Sequence, residues 1–339
     1  MRARDHNLAP GRLPTGKLNA ITDVAGVRVG HLTLHEGERR HTGATAILPH
    51  GGNLFQDKVP AGLAVFNGYG KLAGATQLME LGEIETPIVL TNTLAVGRGI
   101  EAVNRWTLAQ PGNERVASLN AVVGETNDSR LNDIRQPFPS IEQILQAIEA
   151  ATDGPVAEGA IGAGSGTVAF GHKGGIGTAS RVLPARQGGY TLGVLVQSNY
   201  GGDLRLDGRA LSDFQPTGDV DGSIMMVLAT DAPLSDRNLR RLAQRCFGGL
   251  ARTGAALSNG SGDYAIAFST AEAVRRTPER RQQASPVLEL PNDLVSPLFL
   301  AAIEASEEAI LNSLLMAGPV DGYDTARDRA HAVKALRLG

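Results

Sequence analysis

The chain has little of what several large protein classes require. It holds one cysteine in 339 residues, which excludes an internal disulfide framework and a thiolate metal cluster; Cys246 falls on the apolar stripe of a helical pattern and is expected in the core. Neither sign of charge dominates. The 32 Lys and Arg and the 35 Asp and Glu are well mixed and sum to −3, so there is no footprint for nucleic acid or an anionic membrane. No apolar run approaches the about 18 residues of a spanning helix, and Met1-Arg2-Ala3-Arg4-Asp5-His6-Asn7 is charged with no apolar segment behind it. A cytoplasmic protein without a secretory signal is expected, its partner a small molecule or a further copy of itself.

Familiar catalytic and cofactor motifs are also missing. Gly162–Gly164 with Ser165-Gly166, and the later run Gly174-Gly175-Ile176-Gly177, resemble nucleotide loops. No Gly-Lys-Ser/Thr occurs, however, and no helix with a correctly spaced acidic residue follows, so no cofactor is expected. His31, His35 and His41 lie in or just beyond one strand pattern without a carboxylate triad, so no metal is expected either. The lack of a Gly-x-Ser-x-Gly elbow weighs against an ordinary α/β-hydrolase.

What is present is a large apolar fraction, 42%, and 42 glycines, many at strand edges beside Asn, Thr and Ser, a pattern that suits backbone packed closely around a site. Short apolar runs predict strands over 27–34, 44–48, 63–66, 87–91, 117–123, 167–170, 190–197, 224–230 and 264–269. Ser140 with Gln143 is a capping-box signal for a helix carrying Ile141, Ile144, Leu145 and Ile148. Helices are also expected from Ser235, over about 295–317, and near 72–81 and 99–108. Strands and helices mixed without strict alternation predict a layered α/β (α+β) fold, a single domain over 1–339. Two polar stretches, 203–222 and 272–293, read as exposed excursions, the first a candidate for processing.

One junction carries chemistry. At Gly222-Ser223 the polar run Gly218-Asp219-Val220-Asp221 stops, and an apolar strand begins with serine as its first residue. A serine hydroxyl needs a base and an oxyanion site before it attacks a carbonyl. At a newly cut N-terminus it carries its own base, because an α-amino group titrates near about 7.7–8.0, well below a lysine at about 10.4. Gly222-Ser223 therefore reads as a self-cleavage point; a turn before a core strand gives the same local pattern. Ser261 and Asp263 alternate onto one face ahead of the strand at Tyr264, as a hydroxyl-carboxylate relay or as an Asx-type turn. Glu125, at a strand exit, suits a cationic amine or a solvated loop. Asn199, at another strand end, suits an oxyanion donor or a turn.

Taken together, the segments resemble the L-aminopeptidase D-Ala-esterase/amidase family, which includes the β-peptidyl aminopeptidases. The resemblance spans nearly the whole chain. It runs through Leu18 to Val27 and His31, Phe66-Asn67-Gly68-Tyr69-Gly70, Thr91-Asn92-Thr93, Glu125-Thr126 with Leu131-Asn132-Asp133, the glycines of 162–177, Asp221-Gly222-Ser223, Ala229 to Leu234, and Gly260-Ser261-Gly262-Asp263. It implies a four-layer α-β-β-α sandwich of the autoproteolytic N-terminal-nucleophile type, similar to the ornithine acetyltransferase fold. Processing would give fragments 1–222 and 223–339, expected to stay together and to form a homo-oligomer. It further implies Ser223 as nucleophile, Ser261 and Asp263 as its serine and acidic partners, Asn199 in the oxyanion hole, and Glu125 against the free amine of a small peptide, amide or ester. Asn127 stands where characterised members carry an aromatic residue, a departure that bears on specificity. The alternatives are an acyltransferase of related architecture and a non-catalytic small-molecule binding protein.

Overall fold

The structure is a computed structural model that describes residues 1–211 and 222–338. The stretch 218–221 leading to the junction lies outside them. Among the described residues, eleven strands form the two main sheets. The first contains β1 (Arg28–Glu36), β2 (Arg40–Leu48), β4 (Leu72–Ala73), β6 (Ile88–Asn92) and β7 (Val122–Thr126), in the order β1-β2-β6-β7-β4. The second contains β3 (Val59–Gly68), β5 (Glu83–Ile84), β8 (Gly175–Val182), β9 (Thr191–Asn199), β10 (Ser223–Thr230) and β11 (Gly262–Ser269), in the order β8-β9-β10-β11-β3-β5. Each sheet is antiparallel except for one central parallel pair, β6 with β7 and β10 with β11.

Alternation along the strands divides the core into layers. Met225, Val227 and Ala229 of β10 face the gap between the sheets, where they meet Ile47, Ile88, Leu90 and Val122 of the first sheet. Ile224, Met226 and Leu228 face the other way, onto Leu239, Leu242 and Cys246 of α3 (Asp236–Arg252) and Leu298 and Ala302 of α4 (Ser296–Leu315). Burial pushes the Cys246 thiol up to about 11, in keeping with a core role. On the far side, α1 (Val96–Leu108) and α2 (Ile141–Glu149) cover the first sheet through Ala102, Val103, Ile144 and Ile148. The molecule is thus a four-layer α-β-β-α sandwich.

Local chemistry explains the elements. Ser140 Oγ accepts from the Gln143 amide at 3.2 Å while Gln143 Oε1 accepts from the Ser140 amide at 2.8 Å, the reciprocal cap that starts α2. Ser235 opens α3 differently: its hydroxyl donates to Glu289 and leaves the helix end uncapped by its side chain.

The helix α4 is buried nearly all round and carries two acids inward. Arg181 of β8, fully buried, meets Glu304 at 3.2 Å and Glu308 at 2.8 Å. Arg4 adds a second cation at 2.8 Å from Glu308, and Asn19 donates to the same carboxylate at 2.6 Å. Burial works against the Glu308 carboxylate; the bond from Arg4 and the charge of Arg181 outweigh it and hold the group below the usual range.

Several boundaries differ from the apolar runs. The strand expected over 117–123 is Val122–Thr126, so Glu125 and Thr126 belong to it. The region 167–170 is only a two-residue strand, Val168–Ala169. The helix expected over 72–81 is Ala75–Glu80, with Leu72–Ala73 pairing as an edge strand. Within 203–222, Arg205–Leu206 and Arg209–Ala210 form a small hairpin.

Candidate active site

Ser223 opens the central strand β10 and is flanked on both sides by residues singled out above. It pairs with Asn199 of antiparallel β9 and with Gly262 of parallel β11. Ser223 is 7% exposed and Asn199 8%, so both meet solvent only through the mouth of the gap between the sheets. The position of Gly222 is set by space: a Cβ there would stand 2.3 Å from the Tyr200 Cα and 2.7 Å from the Asn199 carbonyl oxygen, so only glycine fits.

The Gly262 amide addresses the junction directly. It lies 3.2 Å from the Gly222 carbonyl oxygen and 3.2 Å from Ser223 Oγ, one N–H shared between the carbonyl of the Gly222-Ser223 peptide and the serine hydroxyl. On either side of that amide, Ser261 Oγ donates to Asp263 Oδ1 at 2.6 Å. Asn67 Nδ2 donates to Asp263 Oδ2 at 3.0 Å. Burial raises the Asp263 carboxyl, and these two hydrogen bonds act in the opposite direction. Ser261 and Asp263 bond to each other, and the pair reaches Ser223 through the Gly262 backbone.

Asn199 is oriented by its oxygen. Oδ1 accepts from the Val168 amide at 3.0 Å, which leaves the Nδ2 hydrogens as the end for the cleft. Glu125, at the end of β7, is buried and held at both oxygens: Oε1 accepts from the Lys71 amide at 2.9 Å, and Oε2 accepts from the Thr93 hydroxyl. The Lys71 ammonium stands 3.8 Å away at the rim.

Gly222, Ser223, Asn199, Glu125 and Asn127 line one cleft of about 340 Å³. Asn127 is exposed there, its Oδ1 accepting from the Ser129 amide at 3.0 Å. Ser261 and Asp263 stand behind this wall. The cleft also takes Tyr69, Lys71 and Thr93, and Arg130, Asp324 and Arg327 from the opposite side. The last two sit at the turn of the C-terminal hairpin β12 (Val320–Asp324) and β13 (Arg329–Val333), which docks by Tyr323 and Thr325 amides onto the Leu131 and Ser129 carbonyls. Thr93 and Asn67 lie inside stretches the sequence had marked, whereas Arg130, Asp324 and Arg327 gave no signal. A larger cavity of about 760 Å³ lies between residues 7–12 and α3; among the described residues no Ser, Thr, Cys, His or Lys lines it, so chemistry is assigned to the smaller cleft. Among the described residues no group of three His, Cys, Asp or Glu is placed to hold a metal, and no helix is long and apolar enough to cross a membrane.

A sequence model of the family described as Peptidase family S58 matches residues 19–327. The chain belongs to peptidase family S58. Beta-peptidyl aminopeptidase BapA of Sphingosinicella microcystinivorans is 40% identical, over 95% of this chain and 87% of that one. Among solved structures, the Burkholderia sp. beta-aminopeptidase superposes with a TM-score of 0.88 at 40% identity, over 99% of this chain and 96% of that one. The L-aminopeptidase D-Ala-esterase/amidase of Ochrobactrum anthropi, described as a prototype for the serine aminopeptidases and a new variant among the Ntn hydrolase fold, does so with 0.89 at 36%, over 99% and 95%. This S58 chain is a hydrolase of the aminopeptidase type with an Ntn hydrolase fold. Membership decides against the acyltransferase and the inert binding protein.

Proposed function

We propose that the chain cuts itself between Gly222 and Ser223 and then works as a serine aminopeptidase and amidase on small peptides, amides or esters, β-residues among them. The observation that carries the reading is the Gly262 amide shared by the Gly222 carbonyl and Ser223 Oγ at the head of the central strand. In processing, Oγ attacks the Gly222 carbon as Gly262 N–H polarises the oxygen. The carbon-nitrogen bond breaks, the nitrogen takes the proton, and Gly222 is left as an ester on Ser223. Water hydrolyses that ester and leaves fragments 1–222 and 223–339.

In turnover the neutral amine of Ser223 accepts the proton of its own hydroxyl as Oγ attacks the substrate carbonyl. Asn199 Nδ2 donates to the oxyanion, a contribution of about 3–4 kcal/mol for a well-placed donor. Glu125 pairs with the substrate's ammonium and so limits cleavage to the first residue, while Asn127 borders the space for its side chain. The leaving amine departs protonated, and water releases the acyl group. Ser261 and Asp263 hold the Gly262 amide in position. Relatives named for β-peptides support acceptance of β-residues, and processed protomers are taken to assemble as a homo-oligomer in the cytoplasm. Intact mass spectrometry of the purified protein tests the reading: two fragments of 222 and 117 residues are expected, and a single full-length mass from Ser223→Ala. A full-length wild type after prolonged incubation refutes it.

A further inference from the structure

We propose that Lys173 is a positioning residue for the oxyanion site, acting through the peptide between Thr167 and Val168 on the amide of Asn199. The proposal rests on the oxyanion role given to Asn199 above.

Lys173 is 0% exposed. Its Nζ donates to three backbone carbonyls, of Gly164 at 2.8 Å, Thr167 at 2.8 Å and Gly174 at 2.7 Å, which uses every hydrogen of the ammonium. The Thr167 carbonyl also accepts from the Gly174 amide at 3.0 Å. With that oxygen held twice, the planar trans peptide fixes its other end, because the N–H of Val168 must point opposite to the C=O of Thr167. That N–H is the donor to Asn199 Oδ1 at 3.0 Å.

The consequence is a choice between the two ends of one side chain. With Oδ1 engaged, the cleft receives the donating end of the amide. Rotated half a turn, Asn199 would present an acceptor to a developing oxyanion and repel it. A buried ammonium is costly in itself, and an apolar side chain of equal length would fill the same space while removing one donor from each of three carbonyls. Burial pushes the Lys173 ammonium down to about 7 and the nearby Asp128 carboxyl up to about 7, and each charge favours the charged form of the other. The three carbonyls add to the ammonium side of that balance.

A double-mutant cycle tests the assignment. Lys173→Met, Asn199→Ala and the combined variant are prepared as full chains. After processing, kcat and KM are measured on an amino-acid p-nitroanilide together with the thermal midpoint. Asn199→Ala is expected to lower kcat by about 10²–10³. Lys173→Met is expected to lower kcat by about tenfold or more with KM within about threefold, and the combined variant to lose no more than Asn199→Ala alone. Wild-type kcat in Lys173→Met, or a combined loss equal to the product of the two single losses, overturns the proposal while the oxyanion role of Asn199 stands. An unchanged kcat in Asn199→Ala removes that role and the proposal with it. Should the midpoint show that Lys173→Met does not fold, Lys173→Gln, which keeps a donor at the site, takes its place in the same cycle.

Discussion

Glu125 is fixed before any substrate arrives, because the Lys71 amide and the Thr93 hydroxyl each claim one of its oxygens. Glu125→Gln keeps the shape and removes the charge. A hydrogen bond to a charged group contributes about 1.5–3 kcal/mol, so kcat/KM on a substrate with a free amine should fall about 10-fold to 150-fold. The N-acetylated analogue, which offers no ammonium, should be a poor substrate for both enzymes and change little. Steady-state kinetics on the pair checks this; equal loss on both would assign Glu125 a structural duty only. The residue types of this site were readable in the chain, since Ser223, Asn199 and Glu125 each stand where an apolar run meets polar residues. Their partners were harder to read. Thr93 and Asn67 act by reaching across to neighbouring strands, and Lys173 acts through backbone carbonyls, so nothing in local spacing distinguishes them. Ser261 and Asp263 bond to each other, and their contact with Ser223 passes through a glycine amide, which residue spacing does not reveal.

At the scale of the element, β10 places its first residue between two partner strands and leaves no room for error in the residue before it. Gly222→Ala introduces a carbon 2.3 Å from the Tyr200 Cα, so the head of the strand must move away from the Gly262 amide. Self-cleavage should slow by about tenfold or more, a rise of only about 1.4 kcal/mol in the barrier; the rate of appearance of the 117-residue fragment reads it. A variant that matches the wild-type rate would show that this packing does not govern the reaction. Apolar runs located the elements but not their ends, because a run reports burial whereas a strand ends where its ladder ends. The pairing of β7 with β6 continues to Thr126 with Asn92, two residues into what sequence alone presents as a polar loop. The same cause hid the capless start of α3, whose Ser235 turns to Glu289 instead of its own helix.

For the whole molecule, the apolar pattern indicated mixed layers, and the resemblance supplied their number. The cluster around α4 was not visible in either, because Arg4, Asn19 and Arg181 are distant in sequence from Glu304 and Glu308 and each reads singly as a surface residue. In the structure Arg181 is closed off from solvent with Glu304 and Glu308. Arg181→Met leaves two acids buried with less compensation, and breaking such a pair costs about 3–5 kcal/mol. Denaturant unfolding of the uncleaved Ser223→Ala chain, with and without Arg181→Met, should show that difference; a midpoint shift near zero would mean that Arg4 and Asn19 suffice for Glu308 and the Arg12 and Leu13 amides for Glu304.

The strand order has its own effect once the chain is cut. On the proposed cut, β10 and β11 would belong to the C-terminal fragment and lie between β9 and β3 of the N-terminal one. Neither fragment holds a complete second sheet. Folding of the precursor is a reaction of one molecule, whereas recovery of the cut enzyme from the unfolded state requires an encounter of two, with a rate that falls on dilution and an entropy of association to overcome. The proposed cleavage would therefore also give the fold a direction in time: assembled once as a single chain, it would persist afterwards through the slowness of its unfolding.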